Sequence, residues 1–356
     1  MTKNTSLRSA NKAKNDEFYT QYEDIQFELN NYTEHFKDKT VLCNCDDPFE
    51  SNFCKFFLRN FNYLGLKRLI CTSYVSSTII GTQMTLFDYL DEPVQKGNGY
   101  VMDITEMPMA NGRGVSDDDI EKLLKSKKRG VKKLTGDGDF RSNECIEYLK
   151  QADIVVTNPP FSLFRDFIGL LIKYNKKFII LGNQNAITYQ EIFPYLKDNI
   201  IWLGNKSGDM SFAVPDSYEA RKTRFWIDKT GQKWRSLGNI CWYTNIDHKK
   251  RHEKLILYCK YYGHEKNYPK FDNYDAINVN KVSEIPVDYE GVMGVPITFL
   301  NKYNPDQFEV INALNRYVLI GNEEVNENIR IRHSHACNIN GKATYYRILI
   351  KRRRKK

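Results

Sequence analysis

Four short apolar runs punctuate the chain: Thr40–Cys45 (TVLCNC), Arg68–Tyr74 (RLICTSY), Asp153–Thr157 (DIVVT) and Lys177–Gly182 (KFIILG). Each is too short for a helix with a buried face and is bounded by polar residues, so each is expected to be a strand. Between the first two, SNFCKFFLRNFNYLGL sets Phe53, Phe56, Phe57, Asn60 and Phe61 within helical reach of one another. Gly65 supplies the left-handed stop such a helix needs. Between the last two, Ser162–Tyr174 (SLFRDFIGLLIKY) repeats apolar positions at helical spacing, with Ser162 as the expected cap. Strands alternating with helices predict an α/β fold whose mostly parallel sheet is covered on both faces.

Ligands of such sheets bind beyond the carboxyl ends of the strands, where the strand order reverses. Two unusual loops follow strand ends: Asp46-Asp47-Pro48-Phe49-Glu50-Ser51 and Asn158-Pro159-Pro160-Phe161. If their strands are neighbours, an acidic loop and an amide-Pro-Pro-aromatic loop face one crevice. The stretch from Gly81 to Gly138 is less regular and is expected to be an elaboration between strands, with one further strand at Tyr100 to Ile104. Beyond about residue 200, tryptophans, tyrosines, arginines and lysines interleave and helical periodicity fades. We therefore expect a first domain over 1–200 and a second region over 201–356.

Composition narrows the class. Hydrophobic residues make up 41% of the 356 residues, yet no apolar run approaches the length needed to span a bilayer, and the N-terminus is polar throughout. We expect a soluble, cytoplasmic monomer that does not engage membranes. Eight scattered cysteines without a CxxC pair predict buried reduced thiols rather than disulfides or zinc. His248 and His252 have the spacing of a metal pair, but HKKRH lacks the glutamate of a zincin and is expected to be a solvated basic segment. The net charge of +9 is concentrated in the first fourteen residues, in Lys125–Lys133 and in the tail from Lys351. Together these runs predict a polyanionic partner.

The Asn158 loop can support a specific chemistry. An adenine amino group is a poor nucleophile because its lone pair is delocalised into the ring. A site that accepts hydrogen bonds from both of its N–H bonds lets the nitrogen move toward tetrahedral geometry. The Asn158 side chain and the Pro159 main-chain carbonyl supply two acceptors, Pro159 and Pro160 stiffen them, and Phe161 can stack on the base. Inside duplex DNA that amine is out of reach, so the nucleotide has to be flipped out. The chain has neither GxGxxG nor GxxxxGK[ST], which argues against dinucleotide or P-loop chemistry.

DEFYTQ (Asp16–Gln21), VLCNCDDPFESNF (Val41–Phe53), NPPF (Asn158–Phe161), GVPITFLNKYNPDQFEV (Gly294–Val310) and NGKATYYRILI (Asn340–Ile350) together resemble the EcoRI-type adenine-specific DNA methyltransferases. The resemblance runs over nearly the whole chain. It implies a Rossmann-like methyltransferase sheet that uses S-adenosylmethionine, followed by a C-terminal target-recognition region, with double-stranded DNA as substrate. Such an enzyme is either the modification half of a restriction system, with an endonuclease acting separately, or a solitary or phage-borne enzyme. By the same resemblance, Phe18, Tyr19 and Thr20 flank the methionine part of the cofactor, Asp46, Asp47 and Pro48 hold its amino-acid moiety, and Asp139 and Phe140 meet its adenine. FESNF stands where related enzymes carry GxG, and no acid closes the second strand to name a ribose partner.

For the region beyond 200 we expect duplex recognition by Arg221, Lys222 and Arg224 beside Phe225 and Trp226, by Lys233 and Arg235 around Trp234, and by Lys249, Lys250 and Arg251. Two other functions use the same features: methylation of RNA or of a protein glutamine through the same loop, and non-catalytic DNA binding on a methyltransferase-like fold.

Overall fold

A computed structural model describes residues 19–45, 51–74, 99–107, 115–116, 119–120, 131–214, 216, 218–272, 274–314 and 337–353. All of the basic N-terminal run, most of Lys125–Lys133 and the last three residues of the tail lie outside them. The chain divides into two units, residues 1–184 with 204–246, and residues 185–203 with 247–356. In chain order the first contains β1 (Tyr19–Thr20), α1 (Tyr22–Leu29), β2 (Thr40–Asn44), α2 (Asn52–Leu64), β3 (Arg68–Thr72), β4 (Tyr100–Ile104) and β5 (Val131–Lys133). It continues with α3 (Asn143–Gln151), β6 (Ile154–Thr157), α4 (Phe164–Lys173), β7 (Lys177–Asn183), β8 (Trp202–Val214), β9 (Phe225–Ile227) and β10 (Lys233–Thr244).

These strands form one sheet in the order β1-β8-β10-β7-β6-β2-β3-β4-β5, with β9 on β10. Strands β7, β6, β2 and β3 are mutually parallel. The flanks are antiparallel: β4 against β3, β5 against β4, β10 against β7 and β1 against β8. The sheet is therefore mixed rather than mostly parallel. Parallel neighbours need a crossover, which α2 and α4 supply, whereas only five residues join β9 to β10 and permit nothing but an antiparallel return. The chain steps outward from β2 through β3 to β5 on one side, then returns at β6 and steps to β7 on the other, so strand order reverses between β2 and β6.

Helix α2 shows how the sequence builds these layers. The Ser51 hydroxyl accepts from Phe53 N at 3.1 Å and starts the helix, and Gly65 ends it at φ +61. Its apolar face (Phe53, Phe57, Phe61) shares a core with Val41 and Cys43 of β2 and Trp242 of β10. The alternate strand residues Leu42, Ile70 and Val155, also fully buried, take the opposite face. There Phe164 of α4 packs on Tyr243 with ring centroids 5.0 Å apart. Helix α4 does not use Ser162 as its cap. A 3-10 turn over Phe161–Leu163 precedes it, closed by Leu163 N donating to Pro160 O at 2.9 Å. The rigid Pro160 sets that turn and moves the helix cap one residue on, to Leu163.

The second unit is a different construction. Strands β11 (Ala276–Asn278), β12 (Val292–Val295), β13 (Phe308–Leu314) and β16 (Arg347–Arg352) form a four-stranded sheet in the order β11-β12-β16-β13, with a small ribbon of β14 (Asn338–Ile339) and β15 (Lys342–Ala343). Phe271, Ala276, Leu314, Cys337 and Leu349 make a core cluster. The buried Arg347 donates to Asn278 Oδ1 at 2.9 Å. Strand β8 from Gly204 onward, β9 and β10 belong with the first compact unit, because their backbones are hydrogen-bonded into its sheet. Among the described residues no helix is long and apolar enough to cross a membrane.

Candidate active site

The point where strand order reverses is marked by a tight polar junction. Asn44 ends β2 at 1% exposure. Its Oδ1 accepts from Thr72 Oγ1 of β3 at 2.7 Å, and its main-chain carbonyl accepts from Thr157 Oγ1 of β6. Three adjacent strand ends are tied together through one residue. The Asn44 amide nitrogen Nδ2 is buried and, among the described residues, has no hydrogen-bond partner. Such a donor is costly unless something else satisfies it. Cys45 follows at φ +69, turning the chain sharply out of the sheet. Asp46, Asp47 and Pro48 come next and lie outside the described residues, as does Phe18.

Asn158, Pro159, Pro160 and Phe161 follow β6 directly, at the same edge. Pro159 is buried, while Asn158 and Phe161 are half-buried, the Phe161 ring resting against the core around α2. Asn158 Nδ2 donates to Thr20 Oγ1 at 3.3 Å. Thr20 is only 4% exposed, and its main-chain carbonyl accepts from Asn52 Nδ2, at the start of α2, at 2.8 Å. A residue of the N-terminal segment, the first turn of α2 and the Asn-Pro-Pro-Phe loop are therefore joined in one chain of hydrogen bonds. In this arrangement Nδ2 of Asn158 faces the Thr20 hydroxyl and Oδ1, the acceptor end of the amide, is turned away from it.

The segment carrying Thr20 is held by β8. Tyr19 and Thr20 pair with Ala213 and Phe212. Behind it, α1 places Glu28 in the interior, where both carboxylate oxygens accept from Asn205 N at 2.8 and 3.0 Å, Lys206 N donates at 2.7 Å and Tyr32 OH at 2.9 Å. Burial pushes the Glu28 carboxyl above its ordinary value against the pull of these donors. Asp24 pairs with Lys206 nearby. Glu28 was not singled out in the sequence; an acid in an amphipathic helix reads as solvated surface, and only its partners far along the chain reveal it.

Asp139 and Phe140 lie just past a close backbone approach. Gly138, at φ +81, sits where a Cβ would come within 2.0 Å of Ser73 O, so the GDGDF turn is pressed against the chain leaving β3. That places it beside the same edge. Burial opposes ionisation of Asp139, but its hydrogen bonds with Arg141, including Nη2 to Oδ2 at 2.6 Å, prevail and hold its carboxyl below the usual range. The Phe140 ring packs edge-on against Phe167 at 5.0 Å and is almost wholly buried.

The basic residues separate into two groups. Arg221, Lys222, Arg224, Lys233 and Arg235 are carried by the β9–β10 ribbon and the chain entering it. Of these, Arg224 pairs with Asp209, Lys233 donates to Asp216 O and Arg235 donates to the carbonyls of Thr223 and Arg224. Lys249, Lys250 and Arg251 form a 3-10 turn in the second unit. There the Arg251 guanidinium lies 3.9 Å from the centre of the Trp202 ring and donates to Asn199 Oδ1 at 3.1 Å. His248 is not solvated as expected: it is buried, Nε2 lies 3.0 Å from Leu203 O, and burial pushes its pKa down. His252 instead faces Asp247.

The cysteines are free thiols. Cys43, Cys54 and Cys71 converge, with sulfurs all within 4.8 Å of one another. Burial pushes the Cys71 thiol well above its ordinary value.

A family model for the adenine-specific methyltransferase EcoRI matches residues 6–353. The chain belongs to that family. It is similar to the type II methyltransferase M.EcoRI of Escherichia coli, 48% identical over 99% of this chain and 97% of the relative. A type II methyltransferase of Mycoplasma genitalium is 42% identical over 96% of this chain and 97% of its own length, and M.MpnI of Mycoplasma pneumoniae 39% identical over 97% of both chains. No solved structure matches the chain significantly. The EcoRI methyltransferase match covers both units, so the four-stranded sheet of the second unit is as much a part of the family's chain as the Asn-Pro-Pro-Phe edge.

Proposed function

We propose that this chain, a type II adenine-specific DNA methyltransferase by its relatives, transfers a methyl group from S-adenosylmethionine to N6 of an adenine flipped out of double-stranded DNA. The observation that carries this reading is the Asn158 loop at the strand-order reversal, with its amide oriented by Thr20. We take the large sheet as a Rossmann-like methyltransferase sheet on its four parallel strands and its reversal point. We further propose that the enzyme is the modification half of a restriction system, with an endonuclease acting separately.

The residues present fit the cofactor. Among the described residues Asn44 Nδ2 is a buried donor without a partner at the reversal point, of the kind a polar ligand satisfies. Phe18, Tyr19 and Thr20, the acidic loop Asp46-Asp47-Pro48, and the turn carrying Asp139 and Phe140 are its proposed surroundings. When bound, S-adenosylmethionine supplies an electrophilic methyl on a sulfonium. The protein's own part is to make the amine receptive. Asn158 Oδ1 and Pro159 O accept the two N–H bonds of the adenine amine, which localises its lone pair. Thr20 anchors the Asn158 amide through its hydroxyl, and Phe161 holds the flipped base by its face. No general base precedes transfer, because the proton leaves after the nitrogen has become cationic.

Incubation of labelled cofactor with DNA, RNA and protein pools tests the reading. Label is expected in DNA as N6-methyladenine; label confined to RNA or protein, or binding of DNA without transfer, would replace it with one of the two other functions.

A further inference from the structure

The β9–β10 ribbon lies at the same edge of the sheet as Asn158. Strand β10 is antiparallel to β7, and Ile240 is paired with Asn183, the carboxyl end of β7. Lys233–Asn239 therefore continue past that end, by on the order of 20 Å if the strand stays extended. Strand β9 pairs with this overhang, Trp226 opposite Trp234.

The overhang is stiff and its surface is unusual. The Trp226 and Trp234 rings are parallel within 6°, with centroids 6.1 Å apart. Trp234 Nε1 donates to Asp228 Oδ2 at 2.8 Å, and Asp228 Oδ1 accepts from Thr230 N and Gln232 N at 2.8 and 3.1 Å, which closes the turn. Trp226 nevertheless stands 40% exposed and Ile227 57% exposed. Residues 221–235 hold six cations and one acid. Three of those cations are bound within the ribbon and its base, as described above. Lys222 and Lys229 are exposed and, among the described residues, make no ion pair. An exposed indole on a rigid backing, with lysines to either side and beyond the edge that holds the reacting loop, is the equipment of a nucleic-acid contact: a flat ring for a base and cations for phosphates.

We infer that the β9–β10 ribbon contacts the target duplex, with the Trp226 ring against bases beside the flipped adenine and Lys222 and Lys229 on flanking phosphates. The inference rests on the function proposed above and adds residues to it, Trp226 and Lys229. Extrusion of a base leaves a gap in the stack, and an apolar ring placed there offsets the lost stacking.

The test uses the full chain and a duplex carrying the target site. Binding is measured over a range of salt for wild type, Trp226→Ala, Trp226→Phe and Lys229→Ala, with calorimetry for S-adenosylmethionine and thermal melting as controls. Trp226→Ala is expected to weaken duplex binding about tenfold with an unchanged salt slope, Trp226→Phe to recover most of it, and cofactor affinity to stay at the wild-type value. Lys229→Ala is expected to reduce the salt slope by about one. Wild-type duplex affinity in Trp226→Ala, or an unchanged slope in Lys229→Ala, overturns the inference. Should Trp226→Ala fail to fold, Trp226→Phe with Lys229→Ala decides. Wild-type transfer to DNA adenine alongside a negative result here removes only the ribbon; absence of that transfer removes the function itself.

Discussion

The junction around Asn44 and Asn158 and the ribbon around Trp226 lie at one edge of one sheet, yet they are built on opposite principles. At the junction the polar groups are buried and joined to one another: Asn44 to Thr72 and Thr157, Asn158 to Thr20, Thr20 to Asn52. On the ribbon an exposed indole and unpaired lysines face outward from a turn locked by Asp228. The difference separates two tasks. Chemistry on a poor nucleophile needs acceptors whose positions are fixed before the substrate arrives, and a junction of strand ends linked by hydrogen bonds supplies that. Contact with a long polyanion needs charge and area at low desolvation cost, which an exposed ribbon supplies.

The comparison is broken most severely by removing the amide. Asn158→Ala is expected to lower single-turnover methyl transfer about a thousandfold while cofactor affinity, measured by calorimetry, stays near wild type. A comparable loss of cofactor binding would mean that the amide serves the cofactor instead of the adenine. Next comes the anchor of the N-terminal segment. Glu28→Gln replaces an acceptor-only group among four donors (Asn205 N and Nδ2, Lys206 N and Tyr32 OH) with one that carries donors of its own, and is expected to cost about 3 kcal/mol in chemical denaturation. A denaturation midpoint at the wild-type position would show that the buried carboxylate does not hold α1 on β8.

Thr20 sharpens the contrast further. Thr20→Val keeps the shape and removes the acceptor, so transfer is expected to slow about tenfold at unchanged melting temperature, and Thr20→Ser is expected to restore it. Equal rates in Thr20→Val and wild type would remove Thr20 from the account. The smallest effect belongs to the ribbon's turn. Hydrogen bonds from the Thr230 side chain and the Trp234 indole hold the Asp228 carboxyl at about 2. For a carboxyl lowered on folding, the associated stability is complete above the ordinary value of 3.8 and is lost only as pH falls through about 2. Tryptophan fluorescence of the ribbon is therefore expected to stay flat as pH falls toward 3.8. A titration near neutral pH would show that the turn depends on another group.

Much of the fold was legible because it is periodic. The four apolar runs became β2, β3, β6 and β7, Gly65 ended α2, and Tyr100–Ile104 became a strand. What stayed hidden was set by contacts distant along the chain, which leave no periodic mark. Strand β1 is two residues long and exists only because Ala213 and Phe212 pair with it. Glu28 looked like solvated surface until Asn205 and Lys206 met it. The change in composition near residue 200 gives no hint that β8 and β10 pair into the first sheet. In the site, the Asn-Pro-Pro-Phe loop announced itself through its prolines, whereas its link to Thr20 required the fold. Of the basic residues, the sequence could not tell Arg251, laid on Trp202, from Lys222, which is exposed.

The most direct measurement is a structure of the full chain with a target duplex and an unreactive analogue of S-adenosylmethionine. The account predicts an adenine outside the helix with its exocyclic nitrogen about 3 Å from both Asn158 Oδ1 and Pro159 O, and the analogue's sulfur on the far side of that nitrogen. An adenine still paired in the duplex, or bound with its amine away from those two oxygens, contradicts it.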